Sequence, residues 1–267
     1  MMEMSLAEGL LLLSLLSFPL LYLSSTTVKY YCKVGFLFFL VGFACLGIIL
    51  LCAYKGRNVD NMRIHNKLLS PIKYVFGIKF KIQGLENLPN EECYVMVGNH
   101  QGYVDIVAMS QFLPPRCVAI AKKELRFVGL LGLTFWLCGY FFIDRERKSQ
   151  AINTMLHIQK TMVAEKFQIF IFPEGTRNQN TSMLPFKHGA FHLAVQAQVP
   201  VVPVVISSYH HFFNTMERKF TEGECTIQIL PKVETQGLTA DSVPELTKAV
   251  RDAMLKVFNQ ISEEVKQ

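Results

Sequence analysis

The sequence has 267 residues, enough for one large domain or for one domain with an appendage. Hydrophobic residues make up 51% of it and charged residues only 18%. An average soluble chain carries roughly 25% charged residues, so this composition favours contact with a membrane. The net charge of +6 suits anionic partners such as phosphates and acidic lipid headgroups. Nucleic acid is disfavoured, because the basic residues form no long stripe and no aromatic-basic binding pattern occurs.

The cysteines indicate a reducing environment and no metal site. Their number is seven, which is odd, and the chain contains no CxxC pair. This usage argues against a disulfide framework and against a zinc site, so we expect buried, reduced thiols.

Two uncharged stretches stand near the start of the chain. Residues 34–54 hold no charge over 21 residues, enough at about 1.5 Å per residue to cross a hydrocarbon core of about 30 Å. This stretch predicts a transmembrane or deeply inserted helix. Residues 10–28 are also uncharged but are interrupted by Pro19. We expect an uncleaved first helix there, joined to the second by a short basic turn containing Lys29 and Lys33.

A signal peptide is a weaker interpretation of the first stretch, because residues 1–9 hold Glu3 and Glu8 and no positive charge. Basic residues follow the second stretch closely, and the positive-inside rule then places the rest of the chain in the cytosol. A helical hairpin that dips into one leaflet produces the same pattern, and the sequence does not separate it from a spanning pair. The basic residues are Lys55, Arg57, Arg63, Lys67 and Lys73.

From about Lys79 onward, short apolar runs alternate with helical stretches. Continuous apolar strands between helices predict an α/β fold with a mixed, largely parallel sheet flanked by helices. We therefore expect an N-terminal membrane-inserted helical pair at 1–57 and an α/β domain at 58–267. The predicted strands are Lys79–Gln83, Tyr94–Val97, Cys117–Ile120, Gln168–Phe172, Val201–Ile206 and Thr226–Leu230. The predicted helices are Tyr103–Phe112, Ser149–Glu165, Gly189–Ala197 and Val243–Val265.

A third uncharged run, residues 127–143, lies between basic flanks. It falls just short of the usual spanning length, and a third span would place the two motifs described below on opposite sides of the membrane. We predict a buried or interfacial helix, whose basic flanks suit a surface lying on anionic headgroups.

His100 and Asp105 form the first motif that carries chemistry. A lone histidine is more often structural, but this one follows an apolar predicted strand, and α/β sheets bind ligands beyond the carboxyl ends of their strands. Asp105, predicted one turn into the next helix, is placed to accept a hydrogen bond from one ring nitrogen. That bond fixes the tautomer and leaves the other nitrogen as a base near neutral pH. No serine or cysteine stands beside it, so the histidine would activate a hydroxyl of the substrate.

The second motif, Glu174-Gly175-Thr176-Arg177, follows another predicted strand. Glycine lets the backbone approach an anion closely, and a guanidinium group matches phosphate bidentately, so the motif predicts an anion clamp. Glu174 is expected to orient Arg177 or the loop rather than to contact a substrate of like charge. A simple polar turn is the alternative interpretation. The motif is not a nucleotide P-loop, since GxxxxGK[ST] is absent.

The order and separation of these motifs resemble those of the glycerolipid acyltransferases. Two further blocks, Gly139–Arg145 and Val199–Val205, match blocks of the same family, and the resemblance runs from about Gly84 to Lys232. The four blocks together are specific, whereas HxxxxD alone is weak. Within the family the likeness is to the 1-acylglycerol-3-phosphate O-acyltransferases of the endoplasmic reticulum membrane. His188 stands where a second cation is expected, and there the chain departs from the pattern.

The resemblance implies direct transfer of a fatty acyl group from acyl-coenzyme A to the sn-2 hydroxyl of lysophosphatidate. The product would be phosphatidate, made without a metal, a cofactor or a covalent acyl-enzyme. His100 would be the general base and Asp105 its orienting partner. The implied phosphate binders are Arg177, Arg145 and Lys122 or Lys123, and the further motif residues are Asn99, Glu174, Gly175, Thr176 and Pro203.

Alternative functions remain open on the sequence alone. The same chemistry could act on glycerol 3-phosphate or on a lysophospholipid with a headgroup. A non-catalytic membrane transporter or lipid-binding scaffold is a different class, which needs further spans that the chain does not offer. A serine- or cysteine-type hydrolase is disfavoured because GxSxG is absent. The expected partners are acyl-coenzyme A, lysophosphatidate and the bilayer, with the catalytic domain facing the cytosol, and no oligomeric state is predicted.

Overall fold

The computed structural model of the protein describes residues 5–89, 92–144, 147–180 and 182–265. Arg145, one of the predicted phosphate binders, lies outside these ranges.

Two helices begin the described chain and are separated by a single residue. Helix α1 is Leu6–Ser24 and helix α2 is Thr26–Cys52, with Ser25 between them. The Ser25 hydroxyl accepts a hydrogen bond from the Val28 backbone N–H at 3.3 Å and so caps α2. The predicted basic turn is wrong, because both of its lysines lie inside α2 and the capping serine alone joins the helices.

Seven of the described strands form one central sheet. All the described strands, including the two outside this sheet, are β1 (Ile78–Gln83), β2 (Val95–Gly98), β3 (Cys117–Lys122), β4 (Phe141–Ile143), β5 (Gln168–Ile171), β6 (Val201–Ile206), β7 (Phe213–Asn214), β8 (Lys219–Phe220) and β9 (Gly223–Ile229). The sheet order is β1-β9-β6-β2-β5-β3-β4, and β7 with β8 forms a separate small hairpin. All neighbours in the sheet are parallel except β6 and β9.

The helices cover the sheet. Beyond the first two they are α3 (Met62–Leu69), α4 (Ile72–Val75), α5 (Asp105–Phe112), α6 (Gly129–Leu137), α7 (Lys148–Glu165), α8 (Gly189–Ala197) and α9 (Val243–Glu264). Strands β2 and β6 are buried along their whole length, as expected for a sheet covered on both faces. The predicted α/β class with a mixed, largely parallel sheet is therefore confirmed.

Helix α2 packs against the α/β domain with one side and leaves the other side uncovered. It contacts α3 and α6, and the Lys33 ammonium donates a hydrogen bond to the Phe220 carbonyl at 3.0 Å. The division of the chain at residue 57 stays a prediction. Over the described ranges, one helix, Thr26–Lys55, is long and apolar enough to cross a membrane. Its exposed apolar side supports association with a membrane. The exposed residues of this side are Phe36, Phe38, Phe39, Phe43, Leu46, Leu50 and Leu51.

The prediction of a single helix across 127–143 is wrong in its second half. The run forms α6 and then the edge strand β4, which pairs with β3. Gly139 has a φ of +84°, and a side chain there would approach the Val59 side chain to 2.9 Å, so glycine both ends the helix and permits this contact. The composition of the run did not indicate this change from helix to strand, because an apolar run suits a buried strand as well as a buried helix.

Five neighbouring strands, β6, β2, β5, β3 and β4, run in the same direction and end at one edge of the sheet. The loops that leave these ends carry both sequence motifs and the lysine pair. The topology therefore brings together groups that lie far apart in the chain.

Candidate active site

A histidine–carboxylate pair stands where β2 gives way to α5. The His100 Nδ1 atom lies 2.5 Å from the Asp105 Oδ2 atom. That oxygen also accepts hydrogen bonds from the backbone N–H groups of Gln101, at 2.8 Å, and Gly102, at 2.9 Å. Asp105 is the first residue of α5, which begins two residues later than predicted because these bonds hold the preceding residues in a turn. The carboxylate is buried, whereas the imidazole is 21% exposed.

The imidazole ring is held in one orientation from two sides. It stacks on the Phe172 ring with centroids 4.0 Å apart and planes 15° apart. With Nδ1 directed at an ionised Asp105, the network assigns the ring proton to Nδ1 and leaves Nε2 as the acceptor. Among the described residues Nε2 has no hydrogen-bond partner, and His100 lines a largely apolar cavity beside the motifs. The ring is thus arranged to accept a proton from a group in that cavity.

Glu174 joins the two motifs directly. Its buried carboxylate accepts a hydrogen bond from the His100 backbone N–H through Oε1 at 3.0 Å. The other oxygen accepts from the Leu184 N–H at 2.9 Å and from the Asn178 amide at 3.2 Å. The Asn178 N–H donates in turn to the His100 carbonyl at 2.7 Å. Glu174 therefore orients the loop and the backbone of His100, and its described hydrogen bonds do not include Arg177.

Gly175 occupies a position that no other residue would fill without strain. Its φ is +72°, and a Cβ there would lie 2.8 to 3.0 Å from the Cδ, Cε and Nζ atoms of Lys187. The absence of a side chain lets the lysine cross the loop and brings its ammonium group beside the motif. The sequence patterns assigned no role to this cation.

The cavity between the sheet edge and helix α2 has a volume of about 460 Å³. Its polar end is formed by His100, Arg177, Thr176 and Lys122. Its apolar walls come from α2, α5 and α6 and include Leu37, Phe38, Val41, Met109, Leu131 and Phe135. A charged mouth that leads into an apolar interior suits a ligand with an anionic head and a hydrocarbon chain.

Cationic side chains at the mouth differ in their placement. The Arg177 guanidinium lies 4.6 Å above the centroid of the Tyr103 ring, which supports it from below. Lys122 lines the cavity and lies 3.5 Å from the Glu124 carboxylate. Lys123 points instead to the Asp144 carboxylate at 3.3 Å and is not part of the lining. The geometry thus favours Lys122 over Lys123 as the predicted phosphate binder.

Other predicted motif residues lie outside the cavity. The Asn99 side chain bonds to the backbone N–H and carbonyl of Ile206, at 2.8 and 2.9 Å, and fastens β2 to β6. Pro203 is buried inside β6, opposite Val97. His188 is exposed at the start of α8, where its ring lies 6.3 Å from the His192 ring. Asn99 and Pro203 therefore belong to the sheet and His188 to the surface, and none of the three lines the cavity.

Sequence patterns miss several residues that the fold places at the site. Phe172 stands two residues before the second motif and Tyr103 between the members of the first, so closeness to a motif was the available signal. Gln101 links the loop to β6, where its amide donates to the Ile206 carbonyl at 3.1 Å. Tyr209 carries no local signal at all. Among the described residues, no group of three or more His, Cys, Asp or Glu side chains could hold a metal ion.

Comparison with known proteins connects this site to a family. Residues 79–207 match the family model described as Acyltransferase. The chain is 48% identical over 244 residues to human 1-acyl-sn-glycerol-3-phosphate acyltransferase alpha, covering 91% of this chain and 86% of that protein. It is 43% identical over 252 residues to the human beta form, covering 93% and 90%.

A solved structure shares the fold. The crystal structure of the 1-acyl-sn-glycerophosphate (LPA) acyltransferase PlsC from Thermotoga maritima superimposes with a TM-score of 0.70 at 20% identity. It covers 89% of this chain and 99% of that one. The matches cover most of the chain, and they confirm the resemblance. The chain belongs to the 1-acyl-sn-glycerol-3-phosphate acyltransferase family.

Proposed function

We propose that the protein transfers a fatty acyl group from acyl-coenzyme A to the sn-2 hydroxyl of 1-acyl-sn-glycerol 3-phosphate, forming phosphatidate. The observation that carries the proposal is the His100–Asp105 pair, which opens into a cavity with a cationic mouth and apolar walls. The names of the human relatives state the same acceptor. No cofactor is part of the proposal, since acyl-coenzyme A serves as co-substrate.

The reaction follows from the free nitrogen of His100. Nε2 takes the proton of the acceptor hydroxyl while that oxygen attacks the thioester carbonyl carbon. The tetrahedral intermediate then breaks its carbon–sulfur bond, and the coenzyme A sulfur leaves and takes the proton back from the histidine. A thiol has a reference pKa of about 8.5, so the thiolate is a fair leaving group without metal assistance. Asp105 stabilises the imidazolium that forms between the two proton transfers.

Substrate binding divides between the two ends of the cavity. The acceptor phosphate contacts Arg177 and Lys122 at the mouth, with Arg145 as a further candidate. The hydrocarbon chain lies against the apolar walls, where burial contributes about 25 cal/mol for each Å² removed from water. Helix α2 forms part of that wall and so binds the substrate as well as anchoring the protein.

We further propose that the protein resides in the endoplasmic reticulum membrane with its catalytic domain facing the cytosol. Support comes from the cluster of basic residues that follows the apolar helix Thr26–Lys55. Acyl-coenzyme A is a charged, water-soluble donor, so an active site at the cytosolic surface would meet both substrates.

An assay with a panel of acyl acceptors tests the proposed function. Purified protein is assayed with one acyl-coenzyme A and, in turn, with lysophosphatidate, glycerol 3-phosphate and lysophosphatidylcholine. We expect lysophosphatidate to show the highest kcat/KM by at least about tenfold, because a free phosphate and an acyl chain fit the two ends of the cavity. Faster acylation of either other acceptor would replace lysophosphatidate as the substrate, and no transfer to any acceptor would overturn the proposal.

Replacing Arg177 by alanine is expected to raise the KM for lysophosphatidate by about 10- to 100-fold, because a charge-assisted bond to phosphate contributes roughly 1.5–3 kcal/mol. The KM for acyl-coenzyme A should change by less than about threefold. Steady-state kinetics with each substrate varied in turn measures both constants. Arg63→Ala, on the exposed side of α3, is the matched control. Equal increases for donor and acceptor would contradict the clamp.

A further inference from the structure

Tyr209 lies near the Asp105 carboxylate and is linked to it through Gln101. It follows β6 by three residues and is 1% exposed. Its backbone N–H donates to the Gln101 Oε1 atom at 3.0 Å, across 108 residues of sequence. The Gln101 N–H in turn donates to the Asp105 Oδ2 atom at 2.8 Å. Two consecutive hydrogen bonds therefore connect the backbone of Tyr209 to the carboxylate that orients the base.

Two buried polar atoms at this place have no hydrogen-bond partner within the described part of the chain: the Tyr209 hydroxyl and the Asp105 Oδ1 atom. A phenol hydroxyl is a donor and an ionised carboxylate oxygen is an acceptor, so the two needs are complementary. Leaving either atom unpaired in a buried site is unfavourable. A hydrogen bond from the hydroxyl to Oδ1 would satisfy both atoms together.

Asp105 also acts on the ionisation of Tyr209. Burial raises the pKa of the Tyr209 hydroxyl well above the ordinary value for tyrosine, and the nearby charge of Asp105 raises that pKa further. The phenol therefore keeps its proton at every working pH and can only donate toward the carboxylate.

We propose that Tyr209 is a positioning residue of the acyltransferase reaction, whose hydroxyl donates to Asp105 Oδ1 and fixes the carboxylate so that Oδ2 faces His100. The catalytic assembly is then a relay of three side chains. This inference rests on the proposed function, in which His100 acts as the base.

The proposal has a consequence for proton affinity as well as for geometry. A hydrogen bond from the phenol withdraws charge from the carboxylate, which then holds a proton on the neighbouring imidazole less tightly. The other titratable groups facing this place are Glu174, which binds the His100 backbone, and Cys225 of β9. Burial raises the pKa of the Cys225 thiol to about 12, so it stays neutral.

The test is Tyr209→Phe in the full-length, membrane-bound protein, which deletes one oxygen atom. We expect kcat to fall about tenfold, within the range that a hydrogen bond to a charged group supports. The KM for each substrate should change by less than about twofold. The acidic limb of the pH–rate profile should move to higher pH, because the carboxylate then retains the imidazole proton more strongly. Unchanged kcat and an unchanged pH profile would overturn the proposal.

Two further variants separate positioning from packing. Tyr94→Phe removes a hydroxyl from an equally buried tyrosine at the opposite end of β2, and it should leave the kcat and the pH profile unchanged. Placing 3-fluorotyrosine at position 209 keeps the size of the ring and strengthens its hydroxyl as a donor. The acidic limb should then move to lower pH, and a fluorinated protein with the unmodified profile would contradict the proposal even if Tyr209→Phe failed to fold.

The same assays distinguish a failure of the proposed function from a failure of the positioning role of Tyr209. If His100→Ala kept its activity, the proposed function of the base would fail, whatever Tyr209→Phe did. If His100→Ala were inactive while Tyr209→Phe and the fluorinated protein matched the unmodified enzyme, only the positioning role would fail.

Discussion

Replacing His100 by alanine is expected to lower the kcat of acyl transfer by about 10²–10⁴-fold, the usual contribution of a general base. The variant should stay folded and membrane-bound, because the backbone of this residue, rather than its ring, makes the bonds to Glu174 and Asn178. The measurement is the initial rate of phosphatidate formation from saturating acyl-coenzyme A and lysophosphatidate.

The control for this experiment is His157→Ala, which removes an exposed histidine from α7. It should leave the rate within about twofold of the original, since a surface substitution away from the site has little effect on the fold. Asp105→Asn should lower kcat as well, because an amide cannot stabilise the imidazolium. A His100→Ala protein that kept more than one tenth of the rate would contradict the base mechanism.

Replacing Glu174 by alanine is expected to impair both stability and catalysis. The change leaves the half-buried N–H groups of His100 and Leu184 without their acceptor, at a cost of up to roughly 1–3 kcal/mol for each unpaired donor. The loop that carries Arg177 loses its connection to the histidine at the same time. Thermal unfolding should show a clear fall in Tm, and kcat should fall by at least about tenfold through loss of alignment.

Glu86→Ala is the matched control for this loss, because that carboxylate is exposed on a short turn after β1. It should leave the Tm and the kcat unchanged. Adding lysophosphatidate should not restore the Glu174→Ala rate, since the missing contacts lie inside the protein. A normal Tm combined with a normal kcat would show that Glu174 does not hold the motifs together.

The local sequence pattern was sufficient to predict many of the helices and strands. Strands β2, β5 and β6 are short, largely apolar runs bounded by loop residues, and they form where the sequence predicts them. The amphipathic period of α9 likewise predicts its buried residues, including Leu246, Val250 and Met254. The pattern failed at the junction of α1 and α2 and at Gly139, because one capping serine and one left-handed glycine override the composition around them.

The chemistry of the site was partly visible in the sequence. His100 and Asp105 stand five positions apart, and the local turn alone brings the carboxylate to the ring. The guanidinium of Arg177 was identified by residue type, but its support by Tyr103 was not, since stacking depends on the path of a loop. Glu174 was expected to orient Arg177 or the loop, and its described bonds are with the loop and with His100.

What the sequence by itself determined is the set of chemical groups and the local structure around each one. Apolar runs, turn residues and the spacing within a motif act over a few residues, so they can be read directly from the chain. What only the tertiary structure decided is which groups meet. The bond from His100 to Glu174 spans 74 residues and that from Tyr209 to Gln101 spans 108. Such contacts depend on β2 lying between β5 and β6, and strand order follows from packing of the whole sheet rather than from any local pattern.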